Sequence, residues 1–272
     1  MGKGRIMAGW ESGGIESCLK LVEEYRKQAR AAPGAEKIRF EGVGERDVYN
    51  ITAPFSADGR TVIAGRVERR DSEESEVWFF VPEGDRWVPL AGAPVFRLQD
   101  PFVTRIGGEL IFGGVETFPN PAQPHGIGWR TVMYRGAGLA GLEPFFVGPD
   151  QMKDLRLVEQ RNGGIGVFTR PQGAKGGRGK IGYVRLPSLR DLTLSAVEEA
   201  PLLDQFRDEE WGGCNEIHVL SNGKLGVLGH IARFDEEGNR HYYPMAFALD
   251  PDTGRYSKMK ILAERSDFLP GP

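Results

Sequence analysis

Apolar residues in this chain fall in short runs, many alternating with polar ones, and turn dipeptides separate the runs. Alternation at period two marks a strand with one buried face. Four turn dipeptides recur: Asp58-Gly59, Gly107-Gly108, Asn162-Gly163 and Asn222-Gly223. Tight hairpin turns demand positive φ, which Gly, Asn and Asp adopt most easily. Counted between their second residues, the turns lie 49, 55 and 60 residues apart.

The surroundings of the turns repeat as well. A short polar side chain precedes each turn: Asn50, Asp100, Asp154 and Asn215. A strand then enters the turn (Ile51–Phe55, Phe102–Ile106, Leu155–Gln160, Ile217–Leu220), and a second leaves it (Thr61–Ala64, Leu110–Phe112, Ile165–Phe168, Lys224–Leu228). Seven residues past each turn stand Arg66, Val115, Arg170 and His230. Further strands follow: Glu76–Val81 with Arg86–Leu90, Thr131–Tyr134 with Pro144–Val147, Lys180–Arg185 with Thr193–Glu198, and Tyr243–Leu249 with Ser257–Leu262. A unit of about 50 residues and four strands is a propeller blade. A lone sheet cannot bury both faces, but radial stacking covers each face with a neighbour. The pattern therefore predicts an all-β propeller whose inner strands begin at one end of a central channel. One helix is expected over 17–32, capped by Ser17 and stopped by Pro33-Gly34, with Leu19, Val22 and Ala29 near one face.

Composition agrees. Glycine is 38 of 272 residues, about twice the usual share, and there are 18 prolines, which disfavours long helices. The net charge of −3 argues against a protein that coats nucleic acid or an anionic membrane. No apolar run approaches a membrane span, and Val77–Val81 is among the longest. The first ten residues have no secretory core, and Ile6 stands where a myristoylation signal wants Ser or Thr. Cys18 and Cys214 cannot frame disulfides or a zinc site by themselves. A reduced, cytoplasmic protein without cofactor or metal is expected.

Several local motifs carry no chemistry. Gly136, Gly138 and Gly141 spell a dinucleotide fingerprint, but a strand rather than a helix follows. Lys175–Lys180 fails the phosphate-loop spacing and reads as a flexible basic hairpin tip. Asp250-Pro251-Asp252, before Thr253-Gly254, reads as a β-turn. What remains is one carboxylate at a rigid strand entry, Asp100 before Pro101, with Arg66, Arg70, Lys153, Arg156 and Arg170 at corresponding strand ends. Guanidinium and ammonium groups around one acid suit an anionic ligand such as phosphate.

These residues resemble the five-bladed propellers of glycoside hydrolase family 130, the mannoside phosphorylases. They resemble most a related β-1,2-mannosyltransferase/phosphorylase family, formerly a domain of unknown function. The stretches are GVGERDVYNITAPF (42–55), Arg66–Glu68, LQDPFVT (98–104), KDLRLVE (153–159), FTRP (168–171), GGCNEIH (212–218), Gly229-His230 and YYPMAFALD (242–250). Gln99 and Phe102 depart from family 130 and favour the transferase/phosphorylase clade. The resemblance implies an inverting reaction with Asp100 as general acid. Phosphate attacks the anomeric carbon, giving mannose 1-phosphate, and the reverse builds β-1,2-mannan. Some relatives use GDP-mannose. It implies phosphate contacts from Arg66, Lys153, Arg170, His230 and Tyr242, and sugar contacts from Asn50, Asp154, Arg156, Glu216 and His218. The implied partners are mannose 1-phosphate, phosphate and manno-oligosaccharides.

The expected organisation is an N-terminal extension, 1–36, and a propeller catalytic domain, 37–272. Four blades are clear; the fifth is abbreviated or incomplete, since Lys37–Phe40 is the one leftover strand and 266–272 matches a segment that relatives follow with more strands. An open ring exposes sheet edges, which favours self-association. Two rival functions stand beside the first. An inverting β-mannosidase would need Asp154 or Glu216 as a second carboxylate. A non-catalytic glycan-binding propeller would bind sugar without turnover.

Overall fold

The computed structural model describes residues 14–28, 36–72, 74–120 and 126–269. It opens with helix α1 (Cys18–Lys27) and continues as four antiparallel sheets. The first sheet holds β1 (Asp47–Tyr49), β2 (Phe55–Ala57), β3 (Arg60–Glu68), β4 (Ser75–Glu83) and β5 (Arg86–Pro89). The second holds β6 (Gln99–Ile106), β7 (Glu109–Pro119), β8 (Ile127–Gly136) and β9 (Glu143–Val147). The third is β10 (Arg156–Glu159), β11 (Ile165–Thr169) and β12 (Gly182–Leu186). The fourth is β13 (Trp211–Val219), β14 (Leu225–Phe234), β15 (Arg240–Leu249) and β16 (Lys260–Ile261). In every sheet the strands follow chain order from the axis outward, the arrangement of a propeller blade. The four turn dipeptides lie at the inner hairpins, with Gly59, Gly108, Gly163 and Gly223 at φ 73, 82, 80 and 80°.

Neighbouring sheets stack through apolar layers. Val62, Val77 and Phe79 of the first meet Leu110, Phe112 and Val132 of the second. Phe102, Ile111 and Met133 meet Leu157 and Val167 of the third. Val158, Phe168 and Tyr183 meet Leu225, Val227 and Phe247 of the fourth. Period-two alternation decides the faces: Leu225, Val227 and Ile231 are fully buried, whereas Leu228 on the opposite face is 36% exposed. Cys18, Leu21 and Val22 bring α1 into the last of these layers. Ser17 caps α1 as expected, accepting from Lys20 N, and the Cys18 amide donates to Glu210 Oε1 at 2.6 Å. No helix among the described residues is long and apolar enough to cross a membrane.

Five expectations change in detail. Thr193–Glu198 is not a strand. Thr193 Oγ1 accepts from Ala196 N at 3.2 Å and starts helix α2 (Leu194–Glu199), whose Val197 is buried against the third sheet. Good helix formers behind a capping threonine outweigh the apolar alternation. Ile51–Phe55 is irregular as far as Pro54, because Asn50 has φ 47° and Pro54 lacks an amide hydrogen, so β1 and β2 pair separately with β3. Of Lys37–Phe40, only Phe40 joins a sheet, as a parallel bridge to Trp87. The outermost strand of the fourth sheet is reduced to Lys260–Ile261. The helix expected over 17–32 ends at Lys27, and 29–35, with Pro33-Gly34, lie outside the described residues.

There are four blades, and no fifth sheet among the described residues. On the outer face of the first sheet, Val48, Phe80 and Trp87 pack with Phe40 and Val43 from the preceding segment. On the fourth, Leu228, Tyr242 and Leu262 are exposed.

Phe112 is fully buried, with Phe79 and Phe96 ring centroids at 5.2 and 4.7 Å. Phe112→Ala should cost about 3–5 kcal/mol in urea denaturation. A loss under about 1 kcal/mol would contradict stacking of the first two sheets at this point.

Candidate active site

The inner strands do not simply begin at the axis; they enter it through strained residues. Asn50, Asp100 and Asp154 have φ of 47, 50 and 58°, the left-handed region that Asn and Asp tolerate better than most side chains. Asn215 sits at a break in register between Cys214 and Glu216, and Asp100 at one between Gln99 and Phe102. Such bulges re-aim side chains. All four line one cavity of about 600 Å³.

Asp100 is a partly exposed acid of this cavity. It accepts from Asn50 Nδ2 at 2.5 Å, and Arg66 Nη1 lies 3.4 Å away. Arg66 is held from behind. Its Nε and Nη2 donate to Glu68 Oε2 at 2.9 and 2.5 Å, and its Nε reaches Ser75 Oγ at 2.9 Å. Tyr49 and Ser75 hydroxyls also donate to Glu68. Burial works to raise the Glu68 carboxyl, but these hydrogen bonds outweigh it and hold it below the ordinary carboxylate range.

Asp154 forms a second centre. It is 6% exposed, with Arg170 Nε at 3.4 Å and Arg156 Nη2 at 3.8 Å. Burial alone would raise its carboxyl, but the surrounding charges, Arg170 foremost, keep it lowered. Arg156 is fully committed: Nε donates to Asn215 O at 3.0 Å, Nη1 to Leu155 O at 3.1 Å, and the guanidinium lies 4.3 Å from the Phe102 ring centroid. Arg170 Nε donates to Gly212 O at 2.7 Å, while its Nη1 is buried without a hydrogen-bond partner among the described residues. Glycine is required beside it. A Cβ on Gly213 would come within 2.7 Å of Asp154 Oδ2, and one on Gly179 within 2.6 Å of Arg170 Nε.

His230 Nδ1 lies 3.0 Å from Asn215 Oδ1. An amide oxygen only accepts, so Nδ1 carries the hydrogen and Nε2 is left as an acceptor. Burial drives its pKa down to about 4; Asp154 opposes this, and Arg170 and Lys153 reinforce it. The Tyr242 ring lies tilted beside His230, with centroids 5.8 Å apart. Lys153 also lines the cavity and makes no hydrogen bond or ion pair with any described residue.

Nine of the other ten residues assigned by sequence share this cavity with Asp100: Arg66, Lys153, Arg170, His230, Tyr242, Asn50, Asp154, Arg156 and Glu216. His218 does not. It lies two residues beyond Glu216 on β13, one strand repeat further out, where its Nε2 sits 3.1 Å from Glu216 Oε1. Arg70, read as a strand-end cation, turns outward to Asp47 at 2.6 Å. Asn215 and Glu68 were missed as site residues. The repeat already pointed to Asn215, and Glu68 follows Arg66 at the same-face spacing of a strand. The basic tip at 175–180 is not a loose hairpin. It contains a short helix, and Lys175 Nζ donates to Ala200 O at 2.7 Å, capping the end of α2. Both thiols are buried and pushed up by burial, Cys18 to about 12, so neither is a ready nucleophile.

Fold and site together define a propeller with a polar axial pocket that gathers acids and bases from four blades. The chain belongs to the family described as DUF1861, a protein of unknown function, whose model matches residues 24–272. Among solved structures it is similar to MPT-4, a mannose phosphorylase from Leishmania mexicana in complex with phosphate, at 33% identity and TM-score 0.84, over 93% of this chain and 80% of that one. It is also similar to MPT-1, a GDP-Man-dependent mannosyltransferase from the same organism, at 30% identity and TM-score 0.81, over 94% and 81%. A thermostable family-43 glycoside hydrolase at 10% identity and TM-score 0.51 shares the fold, over 79% of this chain and 72% of that one. No curated protein matches the sequence.

Because His230 is held neutral, stability should depend on pH. Below pH 6.5 the unfolded chain binds a proton that the folded protein refuses until about pH 4. Stability therefore falls as pH drops through that window, by roughly 2–3 kcal/mol. Urea denaturation of wild type and His230→Gln from pH 7 to 4.5 checks this: the wild type should lose that much more than the variant. Parallel losses would show that His230 titrates normally.

Proposed function

We propose that this protein, an enzyme of the glycosyltransferase type, moves mannose between mannose 1-phosphate and β-1,2-linked manno-oligosaccharides. The observation that carries the reading is the division of charge in the cavity. Asp154 is paired with Arg156 and Arg170, while Lys153 acts on Asp154 only at longer range, making no hydrogen bond or close ion pair with a described residue, and Arg170 Nη1 is unsatisfied. A phosphate dianion answers both. Lys153 meets it as a point charge, Arg66 as a directed donor and the buried Arg170 guanidinium through its charge, and Tyr242 and neutral His230 exchange hydrogen bonds with it.

In phosphorolysis a phosphate oxygen attacks the anomeric carbon and the bond to the glycosidic oxygen breaks with inversion. The proton on Asp100 passes to the leaving oxygen, directly or through a sugar hydroxyl. The products are mannose 1-phosphate and a shortened chain. In synthesis the Asp100 carboxylate takes the acceptor's proton as a base. An inverting hydrolase needs a second carboxylate to activate water. Phosphate needs none. Of the other carboxylates lining the cavity, Asp154 is enclosed by arginines and Glu216 is paired with His218. MPT-1 uses GDP-Man, so the donor comparison includes it.

Mannose released from β-1,2-mannobiose is measured with and without phosphate, and synthesis with mannose 1-phosphate or GDP-mannose as donor. Phosphate-dependent formation of mannose 1-phosphate is expected, and Asp100→Asn should abolish it with the fold intact by circular dichroism. Lys153→Ala should raise the KM for phosphate at least about tenfold, the worth of one charge-assisted hydrogen bond. Phosphate-independent release of mannose, or an active Asp100→Asn enzyme, overturns the reading.

A further inference from the structure

A second, smaller concavity of about 170 Å³ opens beside the cavity, on the side of the second sheet. Its walls are Gln99, Val115, Thr117, Ile127 and Trp129, with Lys153 entering from the segment before β10. Lys153 lines both spaces and joins them. The register of β7 and β8 sets Thr117 opposite Trp129 and Pro119 opposite Ile127, so these residues share one sheet face. That face is not sealed by the neighbouring sheet here: Thr117 is exposed and Ile127 is 51% exposed. The Trp129 indole is fixed, because its Nε1 donates to Gln172 Oε1 at 3.1 Å across to the loop after β11. With the N–H used, the ring offers the groove an apolar surface.

The chemistry of the walls selects the occupant. A pyranose ring has an apolar C–H face and a hydroxyl rim. An aromatic ring matches the first, and an amide, a hydroxyl and an ammonium match the second. One cation and no further guanidinium make it a poor seat for a second phosphate. Position agrees with chemistry. The leaving oxygen must lie at Asp100, on the second blade, and the groove opens on that same blade through Gln99, so a sugar chain that leaves the acid along the second sheet reaches it.

We infer that the Trp129 groove holds the acceptor part of a manno-oligosaccharide, one ring beyond the sugar that receives the proton from Asp100. This rests on the function proposed above. The groove makes the enzyme prefer chains of three or more sugars over the disaccharide, and Trp129 is a specificity residue rather than a catalytic one.

Wild type, Trp129→Ala and Trp129→Phe are compared in phosphorolysis of β-1,2-mannotriose, and by calorimetric titration of the same sugar without phosphate. Trp129→Ala should raise the KM and the dissociation constant for mannotriose about tenfold or more, the value of one lost apolar ring contact, and leave the KM for phosphate within about twofold. Trp129→Phe keeps a six-membered ring while losing the bond to Gln172 and part of the ring surface, so it should stay within about threefold of wild type. Unchanged mannotriose constants in Trp129→Ala overturn the groove and leave the phosphorylase reading standing. An equal rise for phosphate, or a Trp129→Phe protein as weak as Trp129→Ala, traces the effect to the loop beside Arg170 and also overturns it. A wild type without turnover overturns the phosphorylase reading. The titration then still decides the groove: weaker binding by Trp129→Ala supports it, and equal or absent binding by wild type sinks it.

Discussion

Asp154 is a carboxylate buried at the axis of a propeller, and the centre of the molecule is organised around keeping its charge there. An uncompensated buried charge costs several kcal/mol, so two guanidiniums flank it. Those guanidiniums in turn need acceptors and space. Arg156 reaches the Asn215 carbonyl in the fourth sheet and lies over Phe102 of the second, so one side chain touches three blades. Arg170 takes the Gly212 carbonyl and passes between Gly179 and Gly213, where any Cβ would collide with it or with Asp154. The cluster thus fixes the angular relation of the blades as well as the electrostatics of the pocket.

Chemistry follows from what the cluster leaves over. With Asp154 neutralised, Lys153 and the unsatisfied edge of Arg170 remain as positive potential, and burial keeps His230 uncharged beside them. Asp100 stands apart on the second blade, linked to Asn50 and faced by Arg66, itself oriented by Glu68. In the proposed reaction the acid stands on one side and the phosphate on the other, the layout an inverting transfer to phosphate requires. The likeness to a phosphate-bound mannose phosphorylase at 33% identity supports the same reading.

The repeat was legible in the sequence because its signals are local. Positive φ at Gly59, Gly108, Gly163 and Gly223 depends on the turn itself, and left-handed Asn50, Asp100 and Asp154 depend on strand entry. Spacing alone therefore aligned Asn50, Asp100, Asp154 and Asn215, some of which stand more than a hundred positions apart; the family resemblance implied most of the rest, and ten of the eleven residues expected in the site line one cavity. The errors are local contests decided by neighbours. Thr193 capped a helix where alternation suggested a strand, and His218 shares its alternation phase with Glu216 but lies one repeat too far out.

The amino-acid sequence by itself determined the four clear blades, the hairpin positions and the polar identity of each inner-strand start, since these are written in short-range backbone preferences; whether a fifth blade formed was not written there. Only the tertiary structure decided which charges cancel. That Asp154 is spent on two arginines while Lys153 is not, that Arg66 is held by Glu68, and that Trp129 faces a groove joined to the pocket depend on distances between blades. Periodicity carries no such distances, and a Coulomb energy that changes several-fold with separation and burial depends on nothing else.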